Sequence, residues 1–197
     1  MEEKKYRINE IFYSLQGEGR WAGRAAIFIR FSGCNLKCPF CDTNFSAYRE
    51  MTAQEICDTI RKWRSCGFVV LTGGEPTLQL DEALLDALHS EGFVVAMETN
   101  GTREPLARVD WLTVSPKVDF VQNGQPIIRK CSELKCVYDG EHEPNTYGIS
   151  AEYFYVQPCD VGDKERNAEI IVKCIEWIKS RPIWKLSLQQ QKIINVR

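Results

Sequence analysis

Short apolar segments alternate with helical patterns along nearly the whole chain, and this alternation limits the possible folds more than any other feature of the sequence. Six segments are predicted as strands: Ala25–Phe31, Phe68–Thr72, Phe93–Glu98, Trp111–Ser115, Glu133–Val137 and Tyr153–Gln157. Strands that are separated by helices require right-handed crossovers, which place the strands parallel in one sheet. A complete eight-unit barrel takes about 250 residues, whereas this chain has 197. We therefore expect a single α/β domain over residues 1–197, built as a partial, laterally open (βα)6-like TIM barrel with parallel strands.

Three helices are predicted from capping residues and from apolar residues at helical spacing. The first covers about 52–67 and begins with a capping box formed by Thr52 and Glu55. The second covers about 81–92, and the third and longest about 164–180. The predicted buried face of the third helix is Ile170, Ile171, Cys174, Ile175 and Ile178.

The composition narrows the possible partners and the compartment. Charges nearly balance, with 25 Lys and Arg against 27 Asp and Glu, so no basic excess indicates nucleic acid. The longest apolar runs fall far short of the roughly 20 residues that a bilayer span needs, and the chain begins without a signal-peptide core. We therefore expect a cytoplasmic protein whose nine cysteines, an odd number, are reduced. With only two histidines, His89 and His142, the chemistry must use cysteine, carboxylate and backbone groups.

Cys34, Cys38 and Cys41 lie within eight residues, on the loop that follows the first predicted strand. Three thiolates on one loop suit an iron–sulfur cluster. A 4Fe–4S cluster has four irons, so three cysteines leave one iron open to a substrate or cofactor. A structural cluster or a structural zinc would normally have a fourth Cys or His ligand. None lies nearby, because Cys57 falls on a predicted helix.

Other interpretations of this loop stay open on the residues alone. Cys38-Pro-Phe-Cys41 by itself is a plausible thiol-disulfide motif of the thioredoxin kind, which would leave Cys34 without a role. The three thiols also fit a zinc site with a distant fourth ligand, in a binding module without enzymatic activity, or three unrelated core cysteines. The remaining thiols that are predicted as small buried hydrophobes are Cys57, Cys66, Cys131, Cys136 and Cys174.

The spacing Cys-x3-Cys-x2-Cys, with Phe40 before the last cysteine, resembles the radical S-adenosylmethionine (radical SAM) superfamily. The next strand ends in Thr72-Gly-Gly-Glu-Pro76, which is similar to the GGE motif of that superfamily. Alone, this string is a common turn, but here it comes one strand after the cysteines. The resemblance implies a 4Fe–4S cluster with three cysteine ligands and S-adenosylmethionine as cofactors. It also implies a 5′-deoxyadenosyl radical that takes a hydrogen atom from the substrate, with no catalytic side chain beyond the cluster and S-adenosylmethionine.

A narrower resemblance begins at Ile11, where IFYSLQGEG is similar to the F-x-S-x-Q-G-E-G signature of the 7-carboxy-7-deazaguanine synthase family. Glycyl-radical activating enzymes carry a looser version, so an activase with a protein substrate stays as the alternative. The family implies a radical ring contraction of 6-carboxy-5,6,7,8-tetrahydropterin to 7-carboxy-7-deazaguanine, with loss of ammonia, in queuosine and 7-deazapurine biosynthesis. The implied substrate contacts are Leu15, Gln16, Gly17, Glu18, Arg30, Thr72, Gln191 and Arg197.

The family resemblance also assigns cofactor contacts along the chain. Those with S-adenosylmethionine are Phe40, Cys41, Asp42, Gly74, Glu75, Ser115, Pro116, Lys117, Gln157, Pro158, Cys159 and Asp160. The Thr43 hydroxyl is implied as a Mg²⁺ ligand, since Mg²⁺ keeps waters and can take its anionic ligand from a substrate carboxylate. A flavodoxin-like electron donor and a homodimer are implied by analogy.

Three segments of the predicted domain carry part of these contacts: an N-terminal substrate-binding segment 8–20, a cluster loop 32–46 and a C-terminal substrate-closing segment 186–197. The last one departs from the family pattern L-Q-T-H-K. Gln191 stands where the family has histidine, and the last residue is Arg197 instead of proline. This removes an imidazole from the site and leaves a side chain that can donate a hydrogen bond.

Overall fold

The computed structural model describes residues 3–44 and 47–196, and in this part of the chain nine strands form one mixed sheet. The strands are β1 (Tyr6–Leu15), β2 (Ala25–Phe31), β3 (Arg49–Met51), β4 (Phe68–Gly73), β5 (Val94–Thr99), β6 (Trp111–Val114), β7 (Lys130–Tyr138), β8 (Ser150–Pro158) and β9 (Trp184–Leu186). Their order is β3-β1-β2-β4-β5-β6-β7-β8-β9. All pairs from β2 to β9 are parallel, whereas β1 is antiparallel to β2 and β3. The predicted open barrel of parallel strands is confirmed.

The sequence pattern predicts six of these strands and misses β1, β3 and β9. β1 pairs with β2 along most of its length, so much of the N-terminal segment 8–20 is a strand. Its register shifts between Ile8 and Glu10, a bulge that interrupts the alternation of buried and exposed side chains. The two-residue alternation by which a sequence pattern identifies a strand is therefore broken at the bulge. The strand continues beyond it because residues 10–15 pair with β2.

Within the described ranges four α-helices occur: α1 (Ala53–Ile60), α2 (Glu82–Ser90), α3 (Lys164–Lys179) and the single turn α4 (Gln190–Ile193). The predicted capping box opens α1, with Thr52 N donating to Glu55 Oε2 (2.7 Å) and Glu55 N to Thr52 Oγ1 (3.2 Å). The first helix is shorter than predicted, because residues 61–66 tighten into a 3-10 helix that ends at Gly67, whose φ is +63°. The connections after β5, β6 and β7 have no α-helix. They contain prolines, which disrupt helix interiors.

The longest helix, α3, buries only part of the face predicted for it, since Ile170, Cys174 and the half-buried Ile178 pack into the core and Ile171 and Ile175 do not. Ile170, Cys174 and Trp177 are buried, whereas Ile171 and Ile175 are 36% and 40% exposed. The Trp177 ring packs edge-on against the ring of Trp184 on β9, 5.5 Å between centroids. This large contact with an unpredicted strand decides which side of the helix faces the sheet.

The sheet has apolar side chains on both faces, and its concave face is closed at one end. Trp21, on the 3-10 turn between β1 and β2, packs over Phe68 and Trp111 with ring centroids 5.7 and 5.0 Å away. The Arg24 guanidinium covers the Phe68 ring at 3.9 Å. These aromatic groups close the barrel at the amino ends of its parallel strands. The concave face therefore opens toward the carboxyl ends, where such sheets bind ligands.

Among the described residues, no helix has both the length and the apolar character that a bilayer crossing requires.

Candidate active site

A cavity of about 310 Å³ lies at the carboxyl ends of the parallel strands, between the cluster loop and the C-terminal segment. The predicted site residues that line it are Leu15, Gln16, Gly17, Glu18, Arg30, Cys34, Cys38, Phe40, Cys41, Asp42, Thr43, Thr72, Gly74, Ser115, Lys117, Gln157, Pro158, Cys159, Asp160 and Gln191. Glu75 and Pro116 are buried outside this lining. Arg197 lies outside the described residues. Residues up to 176 positions apart in the sequence thus meet at one site.

All three cysteines of the cluster loop face this cavity. Leu36 N donates to Cys34 Sγ (3.4 Å), and Cys41 N donates to the Cys38 carbonyl (3.2 Å), so the loop folds back on itself. Burial raises the pKa of Cys34 and of Cys38, and at Cys38 the nearby Lys117 ammonium works against that rise. Metal binding would have to remove these protons. Across residues 3–44 and 47–196, no three side chains of His, Cys, Asp or Glu converge on one ion. The three thiols suit a cluster, in which each sulfur binds a different iron.

In the GGE motif, Gly74 makes a close backbone contact with the cluster loop that leaves no room for a side chain. Gly74 N donates to the Phe31 carbonyl (3.0 Å) and Glu75 N to the Gly33 carbonyl (2.9 Å). A Cβ on Gly74 would lie 1.8 Å from Gly33 O, a contact that no side chain can make. The end of β4 thus contacts the backbone of the cluster loop directly, one residue before Cys34.

Glu75 is fully buried, and its carboxylate is already used by the protein. Oε1 accepts from Thr77 N (3.1 Å), Thr77 Oγ1 (2.7 Å) and Thr99 Oγ1 (2.7 Å), and Oε2 accepts from Asn100 N (2.8 Å). Glu75 therefore ties the end of β4 to the end of β5. Its contact with S-adenosylmethionine stays a prediction.

Four residues form a closed ring in the wall of the cavity, joined through three side-chain contacts and one backbone N–H. Lys135 Nζ on β7 lies 2.5 Å from Glu18 Oε2 and 3.3 Å from Glu98 Oε2. Gln16 Nε2 donates to Glu98 Oε1 (2.9 Å), and Glu18 N donates to Gln16 Oε1 (3.2 Å), which completes the ring. Burial alone would raise the pKa of Glu18, but the Lys135 ammonium and two glutamine amides lower it to about 2.

Comparison with known proteins decides the family. The sequence model of the Radical SAM superfamily matches residues 28–132. The chain is 46% identical to a 7-carboxy-7-deazaguanine synthase of Bacteroides thetaiotaomicron, over 97% of this chain and 98% of that protein. It is 41% identical to one of Burkholderia multivorans, over 97% and 99%. The chain belongs to the radical SAM superfamily and, within it, to the 7-carboxy-7-deazaguanine synthases. A crystal structure of QueE from Escherichia coli superposes with a TM-score of 0.72 at 26% identity, covering 94% of each chain.

This synthase family member closes its cavity with the C-terminal segment. Gln190 N donates to the Gly17 carbonyl (3.1 Å), and Gln191 Nε2 donates to Glu18 Oε1 (3.1 Å). Lys192 Nζ lies 2.8 Å from Asp160 and 3.4 Å from Asp42, and it helps to lower the pKa of Asp160 to about 2. The other amide atom, Gln191 Oε1, is buried without a hydrogen-bond partner. It is an acceptor available to an N–H group of a bound molecule.

Two further carboxylates of the synthase, Glu10 and Glu133, lie next to residues of the cavity wall. Arg30 Nε donates to Glu10 Oε1 (2.9 Å), so the guanidinium inside the apolar strand β2 is paired. Glu133, next to the ring on β7, accepts from Arg20 N (2.9 Å). Its burial raises the pKa of this carboxyl to about 7, although the neighbouring Lys135 works against the rise.

Sequence reasoning missed several residues of the synthase cavity. Those with polar side chains are Glu98, Thr99, Asn100, Lys135, Gln189 and Lys192. The signal that was available is the pair Glu133 and Lys135, two charges on the same face of a predicted buried strand, where an unpaired charge is costly. Nothing in the sequence, however, identifies their partners 37 and more positions away.

Proposed function

We propose that this radical SAM enzyme contracts the ring of 6-carboxy-5,6,7,8-tetrahydropterin to 7-carboxy-7-deazaguanine, with loss of ammonia. One observation carries the proposal: the three cluster thiols, the Gln16–Glu18 segment and Arg30 all face a single cavity. Three thiols suited to an iron–sulfur cluster and groups suited to an aminopyrimidinone acid therefore line the same cavity. The relatives of this chain carry the name of this reaction's product.

Cys34, Cys38 and Cys41 are the proposed cluster ligands, with Gly74, Ser115–Lys117, Gln157–Asp160 and residues 40–42 as the proposed surroundings of S-adenosylmethionine. When bound, the cluster supplies the electron that cleaves the carbon–sulfur bond of S-adenosylmethionine. The chain contributes position: Phe40 packs edge-on against Phe120 with centroids 4.9 Å apart, which fixes an apolar wall beside Cys41. An abstraction step of this kind depends on holding the reacting atoms within a few ångströms.

The substrate contacts follow from the donor and acceptor pattern of the wall. Arg30 presents a guanidinium that matches the substrate carboxylate. Gln16 and Glu18 offer an amide and an ionised carboxylate to the pyrimidinone N–H edge. Leu15, Gly17, Thr72 and Gln191 complete the proposed set, and Arg197 is proposed with them from the sequence alone. Mg²⁺ on the Thr43 hydroxyl is part of the same proposal.

Anaerobic reconstitution with iron and sulfide, followed by reduction, tests this function. With S-adenosylmethionine and the carboxytetrahydropterin, the product with the mass of the deazapurine acid is expected. Cys38→Ala should abolish 5′-deoxyadenosine formation, whereas Cys66→Ala, a half-buried thiol outside the cavity, should keep it. An intact cluster that cleaves S-adenosylmethionine but gives no such product would remove the substrate assignment. Turnover only with a protein partner would instead support a glycyl-radical activase.

A homodimer, a flavodoxin-like electron donor and a cytoplasmic location belong to the proposal as well. Sedimentation of the reconstituted enzyme tests the first, since a monomer mass at micromolar concentration would contradict it. Turnover with reduced flavodoxin in place of a chemical reductant tests the second.

A further inference from the structure

Lys135 occupies an unusual position for a lysine. Its side chain is only 6% exposed, on the rigid parallel strand β7, and its ammonium faces the Glu18 and Glu98 carboxylates, with Glu133 two residues away on the same strand. Lysines are almost never this buried unless they are paired. The family resemblance assigns Lys135 no role.

We propose that Lys135 is a positioning residue of the substrate site, whose ammonium keeps the Glu18 carboxylate ionised and aimed at the N–H edge of the pterin. This inference rests on the proposed function, because it takes the pterin as the ligand that Glu18 meets. It goes beyond that function by naming a residue that acts on the substrate through another residue.

The ring geometry provides the first step of the argument. Glu18 lies on the loop after β1, and a loop alone does not hold a carboxylate in one place. Two ring contacts fix it from different elements: its Oε2 meets Lys135, and its backbone N–H donates to Gln16, which in turn donates to Glu98 on β5. The side chain is thereby anchored to two strands of the sheet.

Charge balance provides the second step. Glu18 and Glu98 share the Lys135 ammonium as their common cation, and both carboxylates face the cavity. Without it, two half-buried carboxylates would face the same cavity with no cation between them, and one would take up a proton. A protonated Glu18 would present a hydroxyl donor to the N–H donors of an aminopyrimidinone, and a pair of facing donors binds poorly.

The closing segment provides the third step. Gln189 Nε2 and Gln191 Nε2 both donate to Glu18 Oε1 at 3.1 Å. The same carboxylate thus receives the closing segment on one oxygen and Lys135 on the other. Displacing it would disturb substrate recognition and closure together, whereas the thiols of the cluster loop would be unaffected.

Lys135→Met is the test, because methionine keeps most of the stem and removes the charge. The reconstituted variant should show a KM for the carboxytetrahydropterin about 10- to 100-fold higher, as expected for the loss of a charged hydrogen-bonding partner. The fall in kcat should be smaller than the rise in KM. Lys173→Met, at an exposed lysine of α3 outside the cavity, is the matched control and should keep the wild-type KM.

A specificity readout separates positioning from mere structural support. An analogue with an oxo group in place of the 2-amino group offers Glu18 an acceptor, so the wild type should reject it strongly. Lys135→Met should lose most of that discrimination. The double variant Lys135→Met/Glu18→Gln leaves no unpaired carboxylate on Glu18 and serves as the folded form if the single variant does not fold. It should show the same loss.

Two results would overturn the inference: unchanged KM and discrimination in Lys135→Met, or a fall in kcat with both preserved. If the wild type gives no deazapurine product, the proposed function fails separately. Anaerobic titration of the pterin and its oxo analogue into wild type and both variants then decides the inference by affinity alone. Equal affinities in all three proteins would refute it.

Discussion

Replacing Gly74 by alanine is a severe perturbation of this fold, because the added methyl group meets backbone and not a flexible side chain. Its Cβ would lie 1.8 Å from Gly33 O, 2.4 Å from Gly33 C and 3.1 Å from Cys34 N. To reach ordinary van der Waals contact, the end of β4 and the cluster loop must separate by about 1.5 Å. That shift would also stretch the hydrogen bond from Glu75 N to Gly33 O, now 2.9 Å.

The cost follows from this geometry. Overpacking normally costs 1–3 kcal/mol, and with backbone on both sides we expect about 3 kcal/mol. For a chain of this size that corresponds to a fall in Tm of about 6–12 °C. The same movement displaces Cys34 relative to Cys38 and Cys41, so the reconstituted variant should hold clearly less iron and sulfide per chain.

The assay combines anaerobic calorimetry of the cluster-free protein with iron and sulfide analysis after reconstitution. Measuring stability without the cluster keeps the two effects apart. Gly162→Ala is the control, because Gly162 has a φ of +76° but meets nothing within 4 Å of an added Cβ. It should lose about 1–2 kcal/mol from backbone strain and keep full iron content. A Gly74→Ala protein with wild-type Tm and iron content would refute the close-contact argument.

Three further outcomes are expected. Glu133→Gln should stabilise the fold increasingly as pH rises from about 5 to 7.5. The folded pKa of Glu133 is about 7 against an ordinary 4.5, so ionisation lowers the unfolding free energy of the wild type by up to about 3 kcal/mol over that window. Thermal unfolding at several pH values measures this difference. Lys192→Met should change Tm by less than about 2 °C, as exposed ion pairs contribute little. Loss of its bridge to Asp42 and Asp160 should nevertheless speed amide hydrogen exchange over residues 188–196. Thr52→Ala should cost about 1 kcal/mol through loss of the capping box, read from urea unfolding.

The following controls test these three predictions, and the following outcomes would contradict them. For Glu133→Gln, a Tm difference that stays constant from pH 5 to 7.5 would show that the carboxyl does not titrate in that range. Lys179→Met, which breaks an ion pair within α3, should leave exchange at the C-terminal segment unchanged. Unaltered exchange in Lys192→Met itself would exclude the bridge as a clamp. Equal unfolding free energies for Thr52→Ala and wild type would contradict the cap.

Local features of the chain were predicted well because their causes are local. The three helix starts follow from caps and apolar spacing within a few residues, and the parallel strands follow from short apolar runs. The predicted face of α3 is wrong only in part: Ile170 and Cys174 are buried as expected, whereas Ile171 and Ile175 are exposed. These two fit the helical period as well as the buried residues do, and only the contact with Trp184 on β9 distinguishes them. The family resemblance placed most of its site residues on one cavity, since its motifs fall at the ends of strands.

The sequence by itself determined the alternation of strands and helices, the helix caps and three thiols on one short loop, because neighbouring residues produce each of them. The tertiary structure alone decided which distant groups share a wall. Gln16 meets Glu98 across 82 positions and Gln191 meets Glu18 across 173. Such pairs leave no local pattern, since their proximity results from how the sheet curves and where the last segment docks. Whether Lys135 lies on the surface or between the Glu18 and Glu98 carboxylates is therefore decided by the fold and not by its own neighbours in the chain.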